Sequence, residues 1–291
     1  MQLTPWQYTA PEHFTIRGWH STPSGKPLLH FLHGNGFCGR MYEPMLQKLA
    51  IDFDLWLCDV QGHGDSDQGG RFLGWNGNAA LAMAAFDQQN RAFKDVPHYA
   101  LGHSFGGVLT SLTLGETPTR FARAVLLDPV LFTPTMLMGM SMASMTGMLK
   151  HAPMATQARG RRHQWPSRDE AYDLLHGRGV YKGWADEALR AFVNHALKDD
   201  PQGGVSLKCT PSLEADVFGT MPDRLWSLLD KVRTPTMVLH GKKTFPFVGE
   251  SARSWQRDNK AIDQQQVEGG HCFMQENPVQ AADQVRDFLL R

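Results

Sequence analysis

Three times in the first part of the chain a short apolar run stops at a glycine-rich loop, and a segment of helical composition follows. Leu28–Leu32 runs into His33-Gly34-Asn35-Gly36, Leu55–Cys58 into Asp59-Val60-Gln61-Gly62-His63-Gly64-Asp65-Ser66, and His98–Gly102 into a turn at Ser104. Apolar runs this short, bounded by turn residues, read as fully buried strands. Strands separated by helices pair in parallel, because parallel neighbours need a long crossover. An extended segment over His13–Ser21, helices over Met41–Ala50, Asn78–Phe93 and Val108–Leu114, and a further strand over Arg123–Leu127 ending at Asp128-Pro129 complete the rhythm. The expected architecture is α/β, a mostly parallel central sheet with helices on both faces. Ligands in such sheets sit at the carboxyl ends of the strands.

The rhythm breaks at Val130 and resumes with a strand over Thr236–His240, a helix over Gly249–Arg257, a strand over Ile262–Val267 and an amphipathic segment over Val279–Leu290. We therefore read residues 1–129 and 233–291 as one core, split by a helical cap inserted at 130–232. Ser167-Arg168-Asp169-Glu170 within the cap has the pattern of a capping box. Met136–Leu149 is apolar but shorter than the roughly 20 residues a membrane span requires, and reads as a buried helix. Its methionines, Met136, Met138, Met140, Met142, Met145 and Met148, suit an adaptable apolar wall above the strand ends. Arg159, Arg161 and Arg162 read as a solvated turn.

Charge removes several classes of function. Lys plus Arg and Asp plus Glu both number 29, so no net field attracts nucleic acid or an anionic membrane. The four cysteines, Cys38, Cys58, Cys209 and Cys272, form no C-x-x-C pair and read as reduced thiols of a cytoplasmic protein. Met1–Phe14 has neither a basic leader nor an apolar run. No H-E-x-x-H occurs, and His30 and His33 lie at odd spacing on a strand, pointing to opposite faces, so neither a metal nor a cofactor is expected.

Gly102-His103-Ser104-Phe105-Gly106 matches G-x-S-x-G between a strand and a helix. That context matters, because a sharp strand-to-helix turn lifts the serine hydroxyl above the sheet and small flanking residues permit the turn. Gly139-Met140-Ser141-Met142-Ala143 lacks both the second glycine and the strand, so Ser141 reads as packing, and Ser66 reads as a turn residue. A serine needs a base, and His271, in the loop Gly269-Gly270-His271-Cys272 after the last strand, stands at a strand's carboxyl end. Acyl transfer also needs donors aimed at a developing oxyanion. The backbone NH of Phe105, at a helix N-terminus, is one candidate and the NH of Asn35, between two glycines, the other.

These four loops, with Gly270-His271-Cys272-Phe273-Met274-Gln275-Glu276-Asn277-Pro278 as the last, resemble the α/β-hydrolase superfamily over nearly the whole chain. The resemblance implies a Ser-His-acid triad, an oxyanion hole and a variable cap. Most relatives carry the acid after the seventh strand, three residues past a glycine like Gly241, where this chain has Thr244. Some members place it after the sixth strand instead, where Asp128 stands; Glu250 is the weaker alternative because it begins the next helix. A serine at the nucleophile position also separates the chain from epoxide hydrolases and haloalkane dehalogenases, which use aspartate there. The expected activity is cleavage of a small, apolar carboxylic ester through an acyl-enzyme at Ser104, with lactones, thioesters, amides and C–C bonds open to the same machinery. A nonenzymatic ligand-binding protein on the same fold is the rival reading, kept open by Thr244.

Overall fold

The computed structural model describes residues 2–291. β1 (Thr4–Thr9) and β2 (Thr15–His20) form an antiparallel hairpin. Then come β3 (Leu28–Leu32), α1 (Glu43–Leu49), β4 (Asp54–Asp59), α2 (Gly74–Gln89), β5 (His98–His103), α3 (Ser104–Glu116) and β6 (Arg123–Leu127). Between β6 and the next sheet strand come α4 (Pro134–Met145), α5 (Pro153–Arg159), β7 (Gln164–Trp165), α6 (Arg168–Leu175), α7 (Asp186–His195), β8 (Leu197–Asp199), β9 (Val205–Leu207), α8 (Pro211–Phe218) and α9 (Leu225–Leu229). β10 (Thr236–Lys243), α10 (Pro246–Asp258), β11 (Ile262–Gly270), α11 (Phe273–Glu276) and α12 (Pro278–Leu289) close the chain.

The central sheet has eight strands in the order β1-β2-β4-β3-β5-β6-β10-β11, parallel from β4 onward. Side chains alternate between faces with period two, and here both faces are covered. Leu29, Phe31, Leu55, Leu57, Leu101, Val125 and Leu127 enter one core, while Leu28, Leu32, Trp56, Cys58, Ala100, Ala124 and Leu126 enter the other. This double burial is why the strands read as unbroken apolar runs. From β3 the chain goes first to β4 on one side and then to β5 on the other, so the loops leaving β3 and β5 diverge at a switch point, where α/β sheets bind ligands. Leu32 is paired with Gly102, which brings the loops starting at His33 and His103 to one rim.

Four features differ from the sequence reading. β1 was not visible in the pattern; it is held by Trp6, whose ring stacks on Trp56 at 4.4 Å. The inserted segment is not purely helical, because β7, β9 and β8 form a small antiparallel sheet. Strands of two or three residues are too short to show an alternation. Met136–Leu149 is not a buried helix: α4 buries no residue, and Met138, Met142, Met145 and Met148 are 64–87% exposed. Local signals build it, with Thr133 capping the Met136 NH and Pro134 in the first turn, and Ser141 is exposed on it. Arg161 is not solvated; it pairs with Glu214 at 2.6 Å and donates to the Tyr181 hydroxyl at 2.9 Å. Ser167 does cap α6, accepting from the Glu170 NH at 3.1 Å.

Candidate active site

Ser104 occupies the turn between β5 and α3 with φ +52°, a left-handed conformation that a non-glycine residue rarely adopts. The turn is tight enough to dictate its neighbours. A Cβ at Gly102 would meet the Gly106 carbonyl oxygen at 2.5 Å, and one at Gly106 would meet the Leu32 carbonyl oxygen at 2.3 Å. Strain of this kind persists where the surroundings over-determine it, and it aims the hydroxyl out of the sheet.

The Ser104 Oγ lies 2.9 Å from Nε2 of His271, and Nδ1 of His271 lies 2.6 Å from Oδ2 of Asp128. Asp128 follows β6, has φ +45° and is fully buried. Its other oxygen accepts from the Gly241 NH at 2.8 Å, and the Thr244 hydroxyl donates to Oδ2. Thr244 thus sits just past the end of β10 against the carboxylate that comes from β6. Glu250 lies on α10 and is exposed.

The Phe105 NH is in the first turn of α3, where no intrahelical acceptor is available. Asn35 uses its side chain to join two loops: Nδ2 donates to the Glu214 carbonyl on α8 at 3.0 Å, and Oδ1 lies 3.1 Å from His63 Nε2. Gly36, at φ +76°, turns the chain immediately after Asn35. Burial pushes His33 down to about 3 and His63 to about 4, so both rings are neutral supports at ordinary pH. His33 accepts from the Val60 NH at 3.1 Å through Nε2, whereas His30 on the other face stacks on Trp56 at 4.9 Å.

An apolar side of the site comes from aromatic rings that the sequence reading did not single out. The Phe245 ring stands edge-on to His271 at 5.3 Å, and contacts pass through Phe247 (5.8 Å), Phe132 (5.8 Å) and Trp75 (5.9 Å) to Phe105 (4.7 Å). These residues come from four separate stretches; Trp75 and Phe105 are buried in the core, Phe132 and Phe247 are half-buried, and Phe245 is 37% exposed. Glu214 was also missed. Its carboxylate lies against Gly36, where a Cβ would approach it to 3.1 Å; burial raises its pKa, and Arg161 opposes that. On the other flank the Ala185 NH donates to the Gln275 carbonyl at 2.8 Å, so the inserted segment touches both the Asn35 loop and the loop bearing His271. Among the described residues no group of three or more His, Cys, Asp or Glu side chains gathers as metal ligands, and no helix is long and apolar enough to cross a membrane.

A doubly covered parallel sheet with a serine elbow, a late histidine and a buried carboxylate on one rim defines a class, and the sequence comparisons agree. The family model of the alpha/beta hydrolase family matches residues 31–284, and the chain belongs to that family. It is 30% identical to mouse (Mus musculus) monoglyceride lipase over 122 residues, 41% of this chain and 40% of that protein. It is 29% identical to the type I acyl-CoA thioesterase mpaH of Penicillium brevicompactum over 186 residues, 58% of this chain and 39% of that protein. The chain thus spans about 40% of the length of these relatives. The fold is similar along its whole length to that of E-2-(acetamidomethylene)succinate hydrolase, with a TM-score of 0.78, 17% identity and 100% of both chains covered.

Proposed function

We propose that the protein is a serine hydrolase that cleaves a small apolar carboxylic ester or thioester, without metal or cofactor, through an acyl-enzyme on Ser104. The observation that carries this reading is the unbroken contact from Ser104 Oγ through His271 to Asp128, at 2.9 and 2.6 Å. Its geometry suits proton transfer, which needs heavy atoms within about 2.6–3.2 Å. In the first step Ser104 Oγ bonds to the carbonyl carbon and its proton passes to Nε2 of His271. Asp128 holds the opposite nitrogen and stabilises the imidazolium. The carbonyl oxygen, now negative, is held by the NH groups of Phe105 and Asn35. Collapse expels the alcohol or thiol, which takes the proton from Nε2. Water then repeats the sequence, releasing the acid and restoring the serine.

An apolar substrate is supported by the wall of Phe245, Phe247 and Phe132, in place of the exposed methionines of α4. Identity to a monoglyceride lipase and to an acyl-CoA thioesterase supports the ester and thioester choice. Four free, buried cysteines support a reducing compartment, the cytoplasm. The test is labelling by a fluorophosphonate, read by mass on the intact protein and its peptides, with Ser104→Ala as control. Stoichiometric adduct on Ser104 and turnover of p-nitrophenyl butyrate are expected; an unlabelled Ser104 would favour the rival ligand-binding protein.

A further inference from the structure

Tyr42 and His103 are buried polar residues at the centre of the molecule that the proposed chemistry leaves unused, and both are fully buried. The Gly34 NH donates to the Tyr42 hydroxyl at 3.1 Å, that hydroxyl lies 2.6 Å from His103 Nδ1, and His103 Nε2 lies 3.1 Å from the backbone carbonyl of His271. Only one neutral proton arrangement satisfies all three contacts. A phenol that accepts from an NH still has its own proton to donate, so Nδ1 is the acceptor and Nε2 carries the hydrogen that meets the carbonyl. Burial agrees with this assignment, lowering the His103 pKa well below its ordinary value and raising that of Tyr42.

We infer that Tyr42 and His103 form a positioning relay that fixes the Asn35 loop, the Ser104 turn and the His271 loop relative to one another. The three points it joins are functional neighbours: Gly34 precedes Asn35, His103 precedes Ser104, and the carbonyl belongs to His271 itself. This inference rests on the serine hydrolase reading and deepens it. The topology shows why such a tie is needed. β11 stands at the sheet edge, separated from β5 by β6 and β10, so its loop must reach back across two strands. His271 is then held twice, by Asp128 at the ring and by His103 at the main chain. Gly34 independently reflects the relay, because a Cβ there would come within 2.8 Å of His103 Nδ1. The Phe37 ring lies nearly parallel to the His103 ring, with centroids 6.2 Å apart.

Three variants separate positioning from simple packing. His103→Phe keeps the bulk and removes both contacts, and its kcat per fluorophosphonate-titrated site should fall about a hundredfold with KM nearly unchanged, the cost of a reacting group displaced by about 1 Å. His103→Gln carries an NH to the position of Nε2, meets the His271 carbonyl and should return to within about tenfold of the parent. Tyr42→Phe loses only the hydroxyl, keeps its ring edge-on to Phe31 at 4.8 Å, and stands in if His103→Phe does not fold; a loss of about tenfold is expected. Histidine 15N spectra of the parent should show His103 with its proton on Nε2. The inference is overturned if Ser104 labels at the parental rate in all three variants, or if Phe and Gln at 103 are equally impaired per titrated site. Failure of the parent to label at all would instead remove the hydrolase reading.

Discussion

Asp128→Asn tests the assignment on which the site turns, because three donors converge on that carboxylate. The Gly241 NH reaches Oδ1 at 2.8 Å, while the His271 ring at 2.6 Å and the Thr244 hydroxyl reach Oδ2. An asparagine has one acceptor oxygen and one NH2. If its oxygen keeps Gly241, the NH2 faces His271, and the ring must turn its unprotonated nitrogen to the introduced amide and its NH to Ser104. The base is then in the wrong tautomer to accept a proton. The expected loss is about 10⁴ in kcat, or about 5 kcal/mol of transition-state stabilisation. The opposite flip sets the NH2 against the Gly241 NH, at a cost of about 1–3 kcal/mol for unmatched buried donors, so a thermal melt accompanies the kinetics. Thr244 offers a second arm. Thr244→Asp in the Asp128→Asn background returns a carboxylate to the place most relatives use and should recover activity by about tenfold or more. A kcat for Asp128→Asn within tenfold of the parent, in a folded protein, would refute the reasoning.

Stability should fall with acid. Burial holds His30 and His33 near 3 and His63 near 4, while in the unfolded chain they take up protons near 6.5, so their stabilisation is complete above pH 6.5 and is lost as pH falls toward the folded values. At pH 5 each costs about 2 kcal/mol, and Asp59, raised to about 6 by burial, returns only about 1. Circular dichroism should therefore show acid unfolding between about pH 4 and 5.5, and His30→Phe, which replaces a ring lacking any hydrogen-bond contact, should lower that midpoint; an unmoved midpoint would contradict the account. Phe245→Ala should raise KM for octanoate esters by about tenfold while leaving acetate esters within twofold, the effect of losing one apolar contact surface; equal effects on both would exclude a chain-binding role. Arg161→Met leaves the Glu214 carboxylate buried and unpaired beside Gly36, and should cost about 3 kcal/mol in a denaturant melt, largely restored by Glu214→Gln; additive losses would contradict the pairing.

The core strands were legible because burial on both faces turns each into an apolar run. Ser104 and His271 were legible because a serine elbow and a late glycine-flexed loop carry their own residue signatures. Asp128 was reached through the family resemblance, with Thr244 at the usual place turning attention to the strand before it; no local pattern marks an aspartate before a proline as anything but a turn residue. The rest was hidden for physical reasons. β1 is an edge strand whose pattern is set by the contact of Trp6 with Trp56, and strands of two or three residues carry no period. α4 misled because composition gave apolar methionines but nothing about what lies over them. His103 was the variable letter of its motif, and its contact with Tyr42 joins residues 61 apart, a separation no local pattern spans.

The position of β11 at the sheet margin has a consequence for how the site is lost. Its only strand neighbour among the described residues is β10, and margins open more readily than sheet centres. Ser104 and Asp128 hang on the inner strands β5 and β6, whereas His271 hangs on the margin, 167 and 143 residues further along the chain. Partial opening of β11 and α12 would withdraw the imidazole while leaving the serine elbow and its glycines in place. Reactivity of Ser104 would then fade at a denaturant concentration where most backbone amides of β3 and β5 are still protected from hydrogen exchange, making the serine a reporter of the β11 margin.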